Sequence, residues 1–116
     1  VARAETVKTE RMLQLRQLQA SARSALARIE RLDERITRYR ETLLPQMEQQ
    51  AEAALSAYNS DDGDFAEAVR ARIAELNARI ELVQMVAERA RSQASFDYVT
   101  AGADNASPSS STRYQD

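Results

Sequence analysis

The 116-residue chain is 43% hydrophobic and 29% charged but only 5% aromatic, with two Gly, two Pro and no Cys, His or Trp. That composition excludes disulfides, the usual zinc and haem ligand sets, and Cys/His or Ser/His nucleophile pairs. A formal net charge of −2, from 16 basic and 18 acidic residues, supplies no whole-chain attraction for nucleic acid or an anionic membrane.

From the N-terminal side, apolar positions recur at Leu15, Leu18, Ala22, Ala25, Ile29, Leu32, Ile36, Tyr39 and Leu43. The steps alternate three and four, a heptad seam of period 3.5, and Arg, Glu, Asp and Thr fill most positions between. The stretch is rich in strong helix formers, so the spacing predicts a helix over about residues 3–58. Beyond Leu43 the pattern becomes Met47, Ala51, Ala54 and Tyr58, and the extra step of four is a stutter. Pro45 falls at that stutter, in Leu44-Pro45-Gln46, which predicts a bend rather than a stop.

Asn59-Ser60-Asp61-Asp62-Gly63-Asp64 is the dense turn cluster of the chain. Asn and Asp tolerate left-handed backbone angles, and Gly63 is expected to supply one without steric cost. A tip is therefore predicted over 59–63, with Asp64 as N-cap of a second helix over about 64–100 and Glu67 in its first turn. Along this helix a second seam runs Phe65, Val69, Ile73, Leu76, Ile80, Val83, Ala87, Ala90 and Ala94. Two seams joined by a short turn predict an all-α fold: a long antiparallel two-helix coiled-coil hairpin over residues 1–100. The row Ala68, Ala71, Ala74 and Ala78 beside the second seam reads either as a further packing face or as plain helix preference.

With the turn centred near Asp61, the second helix pairs back to about residue 23, giving a paired arm of roughly 50 Å against a first helix of roughly 85 Å. Residues 1–23, with Met12, Leu13, Leu15 and Leu18, are expected to overhang and to self-associate in the isolated piece. After Gly102, a helix-stop signal, the small polar run 101–116 is expected to be a disordered tail. The start at Val1, without an initiator Met or signal peptide, predicts a processed product or a piece of a longer chain.

The segment from Leu55 to Ala71, with Tyr58, the Gly-containing tip, Asp64-Phe65 and an Ala-rich return, resembles a signature of outer-membrane efflux channels of the TolC type, whose long helix ends in Ala-x-x-x-Tyr before the tip. It looks closest to their CzcC-like heavy-metal branch. Leu43-Leu44-Pro45-Gln46 resembles the family's Leu-Pro segment before the tip, and Phe96-Asp97-Tyr98-Val99-Thr100-Ala101-Gly102 its helix-ending segment. These motifs span residues from about 20 to 102 in matching order. One departure is that the family's Gly three residues after the Tyr is here Asp61, with Gly63 two residues later.

The resemblance implies that the chain is the C-terminal periplasmic hairpin of one protomer, part of a trimeric α-barrel in the parent protein. It implies a passive export duct for metal cations or other toxic compounds in the Gram-negative cell envelope. The outer membrane would be crossed by a β-barrel encoded before Val1. Partners would be two further copies in a homotrimer, a periplasmic adaptor and an inner-membrane resistance-nodulation-division pump.

Under that reading Tyr58, Asp61, Asp62, Gly63, Asp64, Phe65, Glu67 and Arg70 form the periplasmic tip, as entrance or adaptor contact. Threefold repetition of Asp61, Asp62 and Asp64 would favour cations at the mouth, and partners such as Arg70 could tie it shut. Turns and helix starts favour Asp in any case. Tyr58 and Phe65 are expected to pack across the tip as a hydrophobic plug or to form an adaptor knob. Met12, Met47 and Met85 lie far apart in sequence and read as core filling, so no metal site and no cofactor is expected. Arg28, Arg31, Arg35, Arg38 and Arg40 are interspersed with Glu30, Asp33, Glu34 and Glu41 and read as surface pairs, not a nucleic-acid face. No nucleophile, base and orienter come together in this composition, so no catalysis is expected. The rival reading is a stand-alone coiled-coil interaction module, such as the hairpin of a periplasmic adaptor protein.

Overall fold

A computed structural model describes residues 2–106. The elements are α1 (Ala2–Arg38), a five-residue π turn (Tyr39–Leu43), α2 (Leu44–Asn59) and α3 (Phe65–Ala106). Among the described residues there is no strand, and the expected all-α helical hairpin is what the chain forms. No helix among the described residues is long and apolar enough to cross a membrane.

The expected bend at Pro45 takes the form of the π turn just before it. Pro45 has no N–H, and its ring would strike the carbonyl of Glu41 in a regular α-helix. The turn widens instead, so that the Leu44 N–H donates to Tyr39 O five residues back. Helical direction then resumes in α2 with Pro45 in its first turn, where a missing donor costs little.

At the other end, α3 runs to Ala106, past the stop expected at Gly102. Glycine in a helix costs only about 1 kcal/mol relative to Ala, and Ala101 and Ala103 on either side favour helix. The part of the expected tail from 101 to 106 is therefore helical. Residues 107–116 lie outside the described residues.

The chain divides into two compact units. The first is Glu30–Arg89, which holds the turn. Its core is Leu32, Ile36 and Met85, all at most 6% exposed, with Tyr39 and Leu82 packed against them. Burying side chains of this size contributes about 1.5–3 kcal/mol each. Toward the turn, small residues take over the same interface: Ala51, Ala68 and Ala78 are buried, which lets the two arms approach closely. Cross-links between the arms are Tyr39 Oη donating to Glu81 Oε2 at 2.5 Å, the Arg79–Glu48 pair at 3.5 Å, and a forked contact of Arg89 on Asp33. The hydrogen bond to Glu81 and partial burial raise the Tyr39 hydroxyl above its usual value.

On α1 every predicted seam position from Leu15 to Leu43 is buried or half-buried, as expected. On α3 the expectation fails. Phe65, Val69, Ile73, Leu76, Ile80 and Val83 are all exposed, and so are Ala87, Ala90 and Ala94. The covered positions are Ala68, Ala71, Glu75, Ala78, Leu82, Met85 and Arg89, also spaced at alternating steps of three and four. Two faces of one helix carry the same period, and α1 and α2 take the one that combines small and polar residues with Leu82 and Met85. Leu82 and Met85 meet the bulk on α1, Ala68 and Ala78 allow close approach toward the turn, and the three inter-arm polar links form with this rotation.

Glu75 is the largest fully buried side chain, at 1% exposure. It accepts from Arg79 at 2.8 Å and from Arg72 at 2.7 Å, one turn to either side on the same helix. Hydrogen bonding from Arg79, with Arg72 beside it, holds the carboxyl below its ordinary 4.5, although burial pushes the other way. A carboxyl lowered on folding stabilises the folded chain above about pH 4.5 and loses that contribution as the pH falls through its lower folded value. The difference in Tm between the native chain and Glu75→Gln is therefore expected to be full at neutral pH and to shrink below pH 4.5. A difference that stays constant from pH 7 to pH 3 would contradict this.

The second unit comprises the described residues of Val1–Ile29 and Ala90–Asp116. Within it Ile29 and Ser92 are buried and Leu15, Leu18, Ala22, Ala25, Phe96 and Val99 half-buried. Burial on α1 thus begins at Leu15, so the expected overhang of residues 1–23 is shortened. Val7, Met12 and Leu13 remain exposed.

Candidate functional site at the hairpin tip

The tip is built by two helix caps back to back. At the end of α2, Asp62 N–H donates to Ala57 O at 2.9 Å and Asp61 N–H to Tyr58 O at 3.1 Å. This pair of bonds is the Schellman closure, which needs a left-handed residue at the position of Asp61. Asp61 has φ of 61°, the one positive φ among the described residues. Asp64 then starts α3: its Oδ1 accepts from Ala66 N–H at 3.2 Å, and its carbonyl accepts the first helical bond, from Ala68. Its expected role as N-cap holds.

Gly63 does something other than expected. Its φ is not positive. A Cβ there would lie 2.9 Å from Ala57 Cβ and 3.0 Å from backbone atoms of Ala57 and Tyr58. Glycine is needed for closeness to the end of α2, while the left-handed angle falls on Asp61. Because an L-residue at φ near 60° carries a cost that glycine escapes, Asp61→Gly is expected to stabilise the chain by about 0.5–1 kcal/mol. Equilibrium denaturation in urea measures this, and a loss of stability would contradict the cap geometry.

The remaining predicted tip residues are less concerted. Tyr58 and Phe65 form a tilted ring pair across the turn, centroids 5.5 Å apart at 56°. Their packing across the tip is as expected, but both stay exposed, Phe65 at 62%, so they do not form a buried plug. Glu67 lies in the first turn of α3. Arg70 donates from Nε to Ala66 O at 3.2 Å and makes no ion pair with the tip aspartates within the chain. Asp61, Asp62 and Asp64 are all exposed.

A feature the sequence reading passed over adjoins the ring pair. An apolar groove of about 350 Å³ runs beside it, lined by Ala51, Leu55, Tyr58, Phe65, Ala68 and Val69, with Glu52 and Arg72 its only charged walls. Leu55 is the residue whose role the seam reading missed. It lies one step off the α2 seam, and only the rotation of α3 brings Val69 and Arg72 to face it.

No group of three or more acidic side chains suited to a metal ion occurs among the described residues. Met85 is core, Met47 half-buried and Met12 exposed, so the expectation of core filling holds for Met85 alone. The chain matches no protein-family model, no curated protein and no solved structure.

Proposed function

We propose that the chain is a periplasmic tunnel segment of an outer-membrane efflux duct, a passive conduit that works as a trimer with an adaptor and an inner-membrane pump. The observation that carries this reading is the tip. Three residues after Tyr58, where the resembled family has glycine, Asp61 takes the left-handed angle that such a glycine serves, and Asp64-Phe65 opens the return helix. In the assembled trimer the exposed Asp61, Asp62 and Asp64 would ring the mouth and favour cations.

The test replaces all three aspartates with Asn in the full-length protein. Efflux-dependent resistance and single-channel cation conductance are expected to fall, with outer-membrane trimers still formed. Unchanged resistance and conductance would remove the entrance role. Failure to find the protein in the outer membrane would remove the duct reading and favour the adaptor hairpin.

A further inference from the structure

Val69, Ile73, Leu76, Ile80 and Val83 form an uncovered stripe on α3, Ile73 at 51% and Val83 at 68% exposure. Their steps of four, three, four and three are the spacing of a coiled-coil seam, so the surface presents holes for the knobs of another helix. The flanks of the stripe are one-sided in charge. Arg72 and Arg79 lie along one flank and Arg70, Asn77 and Gln84 along the other, with no acidic residue at any of these positions. One buried carboxylate, Glu75, is shared between Arg72 and Arg79; Glu48 reaches Arg79 only at 3.5 Å. Arg70 has only a backbone carbonyl.

Two occupants fit poorly. In a second copy of this chain, residues 1–23 expose Val7, Met12 and Leu13 but carry five basic residues against two acidic ones, and pairing stripe with stripe would set arginine flanks against each other. A bilayer surface gains nothing electrostatically, because residues 65–89 carry four arginines and four glutamates. We propose that the stripe is the docking face for an amphipathic helix of different sequence, apolar at its a and d positions and acidic on both flanks. This goes beyond the duct reading and stands on the stripe alone.

The test uses the full chain and two synthetic helical peptides of about three heptads, both with Ile and Leu at a and d. One has Glu and the other Lys at every flanking position. Fluorescence anisotropy at low salt is expected to show the acidic peptide binding at least about tenfold more tightly, the preference shrinking as salt screens it. Ile73→Asp with Ile80→Asp, both at exposed sites, is expected to abolish binding while the helical circular dichroism is unchanged. Arg70→Glu is expected to narrow the preference several-fold. Equal affinities, a preference for the basic peptide, or no binding of either would overturn the proposal. So would self-association in sedimentation that the Ile73→Asp, Ile80→Asp pair removes, which would assign the stripe to a second copy.

Discussion

Ile36→Ala is expected to lower the stability of the chain by about 2–5 kcal/mol, while Ile73→Ala costs less than about 1 kcal/mol. Both residues sit on heptad seams of equal regularity, and a reading from spacing alone predicts similar losses. The difference comes from burial. Ile36 is 6% exposed and touches Leu32 and Met85, so truncation removes transferred surface and leaves a cavity between two helices that cannot collapse freely. Ile73 already faces water, and its truncation removes little that folding has gained. Urea denaturation of the two variants, followed by circular dichroism at 222 nm, decides between the faces of α3. Comparable losses would mean that the apolar stripe, and not the Ala68–Glu75–Met85 face, closes the hairpin.

Gly63→Ala is the second large effect, a loss of about 1–3 kcal/mol. The added Cβ would meet Ala57 Cβ at 2.9 Å and the backbone of Ala57 and Tyr58 at 3.0 Å. Backbone cannot rotate away as a side-chain end can, so the cap that Asp61 and Asp62 make on α2 has to open. Gly102→Ala is the control. It sits within α3 with nothing within 4 Å of the added carbon, and it is expected to gain about 0.5–1 kcal/mol from helix propensity. Thermal melts of the two variants should shift in opposite directions. A loss at both positions would show that glycine matters here for backbone freedom and not for space.

Much of the hairpin was legible before any coordinates. The alternation of three and four from Leu15 to Leu43 marks a face that is buried or half-buried throughout, because a large apolar stripe on an otherwise charged helix has one place to go. Asp64 was legible as an N-cap because it is the last turn-forming residue before an uninterrupted helical run. Pro45 announced a disturbance but not its kind, because a kink and a π turn both remove the clash of its ring with the Glu41 carbonyl, and the Leu44 N–H bonding Tyr39 O shows which one forms. Gly63 and Asp61 exchanged roles because both residues suit a tight turn. Which of them takes the positive φ is set by the bonds to Ala57 and Tyr58.

By itself, the sequence determined that the chain is two helical arms joined at 59–63, since local propensity, capping and period agree along both arms. Which face of α3 turns inward was decided only by the tertiary structure. Val69–Val83 and Ala68–Arg89 repeat with the same period, and periodicity cannot choose between two faces of one helix. The choice goes with Leu82 and Met85 packing on Leu32 and Ile36, with buried alanines bringing the arms close toward the turn, and with Glu81, Arg79 and Arg89 reaching partners on the other arm. It leaves Glu75 buried between two arginines and an apolar stripe facing outward.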